Sequence, residues 1–239
     1  MTRPLLVLVH GTRFDSRAWD GYAELIPDAD VVAVDLPGHG RLAGQDYTSE
    51  AAVQVVVDAV REHTAENENR AVVLAGHSLG GYVIAEYACR YPHRLDALVL
   101  IGACADPARH PRLSSLYSGF AQLLPRVGAE RMAGVANGVM RRMGMNEDAI
   151  PDATGYAVTP QAWASVLAEA TPEHLRELTC PVFLVAGRFD QLGIDIRHYA
   201  RVCADPRVRI IERASHLAPM THVEQVAAIM REAIESCRR

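Results

Sequence analysis

The chain is 239 residues long, 49% hydrophobic and 22% charged, with a formal net charge of −5. This is the composition of an ordinary soluble globular protein, long enough for one α/β domain with a large core. All 24 basic residues are arginine and lie scattered along the chain, so no basic patch marks a nucleic-acid partner. The lack of lysine excludes Schiff-base and lysine-base chemistry.

The start, MTRPLLVLVHG, carries one early arginine and a short apolar run. That run is too short for a secretory leader, lacks a small-residue cleavage site, and predicts a buried strand at Leu5–Val9. A helical pattern over 19–26 and a strand over 31–34 follow. The next stretch, Asp35-Leu36-Pro37-Gly38-His39-Gly40-Arg41, reads as a structural turn, since neither G-x-x-x-x-G-K-[ST] nor G-x-G-x-x-G is present. Helix 51–63, strand 72–75, helix 82–91 and strand Ala97–Ile101 continue the alternation. After an interruption come strand 182–186, helix 194–203, strand 208–211 and a last helix, Val223–Ser236. In that helix Val223, Val226, Ala227, Met230, Ala233 and Ile234 recur at helical spacing. The strand runs are nearly continuous in Val, Leu and Ile, as in strands covered on both faces. The rhythm predicts a doubly wound, mostly parallel sheet of about six strands.

Between 106 and 179 there is no strand pattern. The helical pieces LSSLYSGFAQLLP, AERMAGVANGVMRRMGM and TPQAWASVLAEA are separated by proline and glycine. The segment is too long for a plain connection and too apolar for a solvated loop. It is expected to form a helical cap inserted into a core made of 1–105 and 180–239. Met132, Met140, Met143 and Met145 would give the cap an adaptable apolar underside, or simply pack it onto the body. The cysteines (Cys89, Cys104, Cys180, Cys203, Cys237) are odd in number with no C-x-x-C pair, so reduced thiols in a cytoplasmic protein are expected. No apolar run approaches the roughly 18 residues of a membrane span. No HExxH or Cys/His cluster suggests a metal, and no cofactor is expected.

Chemistry concentrates at Gly76-His77-Ser78-Leu79-Gly80, a G-x-S-x-G pattern with an apolar strand run before it and a helical run after it. A serine on such a sharp strand-to-helix turn exposes its hydroxyl at the carboxyl edge of the sheet. Its partners should come from loops after later strands. Strand 182–186 runs into Asp190 and strand 208–211 into His216, in the order Ser, Asp, His. His216 would take the hydroxyl proton of Ser78, and Asp190 would hold the imidazole. Asp106, after the fourth strand, competes for the acid role, and His222 lies close beyond His216. The other histidines, His77 included, read as fillers, with His10 holding its loop by hydrogen bonds. The first strand ends in Val9-His10-Gly11-Thr12, so the amides of Thr12 and Leu79 would form an oxyanion hole.

Together the segments LLVLVHGT, VVAVDLPGHGR, VVLAGHSLGG, ALVLIGA, PVFLVAGRFD and ASH resemble the α/β-hydrolase superfamily, from Leu5 to the last helix with the cap left out. The resemblance implies Ser78, Asp190 and His216 as a triad, with Thr12 and Leu79 at the oxyanion hole. The start at the HG-bearing strand and the tail SHLAPMTHVEQVAAIM are similar to the compact branch of plant methylesterases and hydroxynitrile lyases. The loop from His10 to Trp19 is longer than that branch's pattern and carries Arg13 and Asp15. Hydroxynitrile lyase activity is disfavoured, because Leu217 stands where that activity uses a lysine. A serine at the elbow also argues against haloalkane dehalogenase and epoxide hydrolase, which use aspartate there. The expected activity is hydrolysis of a small-molecule carboxylic ester or lactone through an acyl-enzyme. The alternatives are C–C bond hydrolysis of activated diketones with the same triad, or a non-catalytic small-molecule-binding protein on the same fold.

Overall fold

The computed structural model describes residues 2–112, 114–115, 127–142, 150–151 and 153–237. Six strands, β1 (Leu5–Val9), β2 (Asp30–Val34), β3 (Val72–His77), β4 (Ala97–Ile101), β5 (Pro181–Gly187) and β6 (Asp205–Ile211), form one sheet in the order β2-β1-β3-β4-β5-β6. Every neighbouring pair is parallel. From β1 the chain steps outward to β2, then crosses back to β3 and proceeds the other way. The carboxyl ends of β1 and β3 therefore flank the point where strand order reverses, the place where open α/β sheets form a crevice.

Successive side chains of a strand point to opposite faces, so each central strand feeds two cores. On one face Leu5, Val7, Val9, Leu74, Leu98 and Leu100 pack with α2 (Ser49–Thr64) and α3 (Leu79–Arg90). On the other, Leu6, Leu8, Val73 and Val99 pack with the apolar stripe Val226, Met230 and Ala233 of the last helix, Val223–Ser236. The strands that are nearly all apolar in sequence are thus the ones covered by helices on both faces. The edge strand β6 starts earlier than its apolar run suggests: Asp205, Pro206 and Arg207 are all in register with β5.

The predicted helix over 19–26 is interrupted. A 3-10 turn, Ser16–Trp19, capped by Asp15, is followed by α1 (Tyr22–Leu25), with Gly21 at φ 83° between them. That backbone conformation suits glycine and ends the first turn. Between 106 and 179 the described residues hold α4 (Ala129–Arg142), α5 (Thr154–Ala157), α6 (Thr159–Glu169) and two 3-10 turns, Pro107–Arg109 and Pro172–Leu175. No strand occurs there among the described residues. Most of LSSLYSGFAQLLP, and Met143 and Met145, lie outside the described residues. Met140 is buried with Phe14, Ala18 and Ile150, and Met132 is half-buried. The remaining helices are α7 (Ile196–Val202), α8 (Ala218–Thr221) and α9, the last helix named above. Among the described residues no helix is long and apolar enough to cross a membrane. All five cysteines are free; Cys104 and Cys203 are buried, and Cys89 is exposed.

Candidate active site

β3 ends at His77, the chain turns at Ser78 with φ 51° and ψ −117°, and α3 begins at Leu79. A non-glycine residue in this region is strained by about 1–3 kcal/mol and persists only where its surroundings enforce it. Here the Ser78 N–H donates to the Ile101 carbonyl at 2.8 Å, and the Ser78 carbonyl accepts from Gly81 and Tyr82 at 2.9 and 3.2 Å. A Cβ on Gly76 would collide with the Gly80 carbonyl, and one on Gly80 with the Val9 carbonyl. The glycines therefore let the elbow close on itself and on β1.

The loops after β5 and β6 bring Asp190 and His216 together, with His216 Nδ1 2.9 Å from Asp190 Oδ1. The Leu192 amide donates to the same oxygen at 2.8 Å. Burial pushes the Asp190 carboxyl up, but the hydrogen bond and charge of His216, with the Leu192 amide, outweigh it and hold it below the ordinary carboxylate value. Nδ1–H thus donates to a carboxylate, which leaves Nε2 as the accepting nitrogen of His216.

Two supports of this pair were not legible in the sequence. Gly102, directly after β4 at φ 58°, leaves room for it: a Cβ there would lie 2.6 Å from Asp190 Oδ2 and 2.9 Å from His216 Nδ1. A glycine closing an apolar strand was the one available signal. His77, read as a filler, donates from Nε2 to the His216 carbonyl at 2.8 Å, with its ring 4.8 Å from that of His216. Burial, then the nearby His216, push it down to about 3, so it works as a neutral strut.

The competing residues go elsewhere. Asp106 caps the Pro107–Arg109 turn by accepting from the Ala108 amide at 3.0 Å, and its nearest imidazole is His198, at 3.7 Å. His222 sits before α9 with Nδ1 on the Thr221 hydroxyl at 2.9 Å. Neither lines the cavity that holds Ser78.

Thr12 and Leu79 both line that cavity, and among the described residues neither backbone N–H donates a hydrogen bond within the protein. The loop carrying Thr12 is held by two imidazoles, His10 and His39, whose ring centres lie 5.0 Å apart at a tilt of 58°. His10 donates from Nδ1 to the Gly11 carbonyl at 2.8 Å and accepts at Nε2 from Leu36 at 3.0 Å. His39 donates from Nδ1 to Pro37 at 3.0 Å and accepts at Nε2 from the Arg13 amide at 3.2 Å. Each ring serves as donor and acceptor at once, which only the neutral form can do. Burial lowers both, His10 to about 4.

A stability profile follows from these histidines. His10 and His77 have folded-state values near 4 and 3, below the 6.5 of a free imidazole. The unfolded chain therefore binds protons that the folded chain does not as pH falls below about 6.5. Their stabilisation is complete above that pH and lost progressively as pH falls, towards 4 for His10 and towards 3 for His77. Calorimetry is expected to show a flat Tm above pH 7 and a decline between pH 6.5 and 4, before most carboxylates titrate. His10→Asn, which takes up no proton, is expected to remove part of that slope.

The cavity has a volume of about 230 Å³. Apolar walls come from Phe14, Leu79, Tyr82, Val166, Leu167, Leu192 and Leu217, with Trp163 of α6 beside them. A smaller cavity of about 80 Å³ shares the wall made by Tyr82, Val166, Leu167, Gln191 and Leu192 and reaches Asp106 and His110.

Comparison with known proteins places the chain in a family. The model of the alpha/beta hydrolase family matches residues 6–229. An uncharacterized protein of Mycobacterium tuberculosis is 32% identical over 101 residues, 42% of this chain and 29% of that protein. The chain spans less than half the length of the curated relatives it matches. Among solved structures, a thermophilic esterase from Thermogutta terrifontis superposes with a TM-score of 0.78 at 23% identity, over 100% of this chain and 92% of that one. An enol-lactonase from Burkholderia xenovorans does so at 0.76 and 17% identity, over 98% and 92%. These structures share the fold, and the family model spans nearly the whole sheet. The chain belongs to the alpha/beta hydrolase family.

Proposed function

We propose that the protein is a serine hydrolase that cleaves a carboxylic ester or lactone through an acyl-enzyme. The observation that carries this reading is the juxtaposition of a strained, cavity-facing Ser78 with a His216 oriented by the buried Asp190. Ser78 Oγ would attack the carbonyl carbon while His216 Nε2 takes the hydroxyl proton. The oxyanion so formed would accept hydrogen bonds from the amides of Thr12 and Leu79. Collapse expels the alcohol, which leaves with the proton from His216. Water then attacks the acyl-enzyme by the same route, releasing the acid and restoring Ser78. Ser78 and His216 are not hydrogen-bonded to each other; such bonds often tighten only when substrate binds. The names of the esterase and the enol-lactonase agree with this chemistry.

The segment 106–179 would act as a cap that selects substrates, since α6 contributes Trp163, Val166 and Leu167 to the cavity. The test is labelling with a fluorophosphonate, followed by kinetics on a panel of esters, lactones and diketones. Labelling at Ser78 with turnover of esters or lactones is expected; turnover of diketones alone would assign C–C hydrolysis instead. No labelling and no turnover would leave a binding protein. On the same panel Trp163→Ala is expected to change relative kcat/KM between bulky and small esters, small activated esters least. A common factor for all substrates would make the segment scaffold.

A further inference from the structure

Among the described residues Arg13 is the one arginine that lines the cavity, and no carboxylate pairs with it. It lines the same space as Ser78 and His216, and among the described residues no acidic side chain lines that space. The neighbouring arginines are paired: Arg17 with Asp15 at 2.6 Å and Arg41 with Asp35 at 2.7 Å. Arg13 forms no ion pair among the described residues, and its Nε is buried without a hydrogen-bond partner. Burying such a donor unsatisfied is unfavourable, and natural folds rarely retain it without a reason.

The backbone points the same way. Phe14 N–H donates to the Gly11 carbonyl at 3.2 Å, so Gly11–Phe14 is a turn with Arg13 as its third residue. Arg13 has φ 76°, a conformation that such turns reserve for glycine. The arginine is nevertheless built in firmly. Its amide is held by His39 Nε2, and its carbonyl packs so closely on Gly155 of α5 that a side chain at 155 would collide with it. Its guanidinium lies over the Tyr156 ring, 5.4 Å from the centroid, and the Tyr156 hydroxyl is fixed by Asn137 at 2.8 Å. The residue is therefore held in place, at a position where glycine would be more comfortable.

We propose that Arg13 receives a carboxylate of the substrate, so that the enzyme acts on esters or lactones carrying a free carboxylate away from the scissile carbonyl. This rests on the serine-hydrolase reading and names its substrate class. A planar guanidinium donates two parallel hydrogen bonds to a carboxylate. A carboxylate fits better than a phosphate: one cation in an apolar cavity balances one negative charge, and a dianion would leave the second buried and unpaired.

Two matched ester series test it. Phenyl hemiesters of succinic, glutaric and adipic acids, against the same esters ending in a carboxamide or a phosphonate, carry the charge on the acyl side. Acetate esters of 3- and 4-hydroxybenzoate, against those of the hydroxybenzamides, carry it on the leaving group. Wild-type kcat/KM is expected to favour the carboxylate over the carboxamide by about 10- to 100-fold in one series. Arg13→Gln and Arg13→Gly should bring that ratio near one, and Arg13→Lys should keep part of it. Arg13→Gly is also expected to keep or raise Tm, which separates loss of the anion site from loss of the fold. A ratio at or below one in both series, a ratio that survives in both variants, or a preference for the phosphonate would overturn the proposal. Calorimetric titration of Ser78→Ala with monoethyl glutarate gives a reading independent of turnover. Binding lost in Ser78→Ala/Arg13→Gln supports the site, and equal binding in the two proteins removes it. Absence of fluorophosphonate labelling and of all ester turnover would count against the hydrolase reading alone, and this titration would still decide the anion site.

Discussion

Ser78→Ala is expected to lower kcat on any ester the protein turns over by about 10⁶-fold, with Tm little changed. The hydroxyl is the attacking group, and its removal deletes one oxygen at a cavity wall without opening the core. The turn itself is held by backbone bonds to Ile101, Gly81 and Tyr82, which alanine keeps. His216→Ala should be about as damaging, because a nucleophile without its base and a base without its nucleophile are equally idle. The informative protein is the double variant. Groups that act as one unit lose their effect once, so Ser78→Ala/His216→Ala should be no slower than either single. A double variant slower by a further large factor would mean that the two act independently, and the proposed triad would be wrong.

Asp190→Asn is expected to reduce kcat by roughly 10⁴-fold, on the precedent of serine proteases. The carboxylate oxygen that meets His216 Nδ1 also accepts from the Leu192 amide. An asparagine that keeps its oxygen there preserves the geometry but loses the charge that stabilises the imidazolium. One that turns its amide nitrogen inward donates to Nδ1 and moves the proton to Nε2, where the base must be free. Both orientations slow the acylation step while leaving the packing around Gly102 nearly unchanged. Steady-state kcat, with circular dichroism to confirm the fold, checks this. A loss below tenfold would remove Asp190 from the acid role.

Much of this architecture was readable before any coordinates. The six strands announce themselves because buried parallel strands are apolar on both faces, and Ala97–Ile101 and Leu5–Val9 fall where their valines and leucines predict. The elbow was legible because steric demands fix glycines around Ser78. What escaped depends on chain segments distant in sequence. The start of β6, Asp205–Arg207, lies outside the apolar run that predicts the strand, since an edge strand needs no apolar run to be paired on one side. Gly102 is ordinary in sequence; its meaning comes from Asp190 and His216, nearly ninety and more than a hundred residues later, closing over it. His77 likewise shows its use only when the carbonyl of His216 arrives at its Nε2. Arg13 was visible as a departure in loop length and charge, but only the folded chain shows it without a carboxylate partner.

The sheet order also bears on how the chain acquires its structure. β1 precedes the other five strands yet lies inside the sheet, flanked by β2 and by β3, which begins more than sixty residues later. The face of the sheet that carries Val73 of β3 and Val99 of β4 is covered by α9. A nascent chain therefore holds its most apolar strand unpaired on one edge until β3 emerges, and the middle of its sheet uncovered on one face until α9 does. Contacts of such long sequence separation slow folding and prolong the exposure of sticky intermediates. Burial of that face waits on α9, so a ribosome-bound chain arrested before Val223 would present a half-covered sheet to chaperones and proteases.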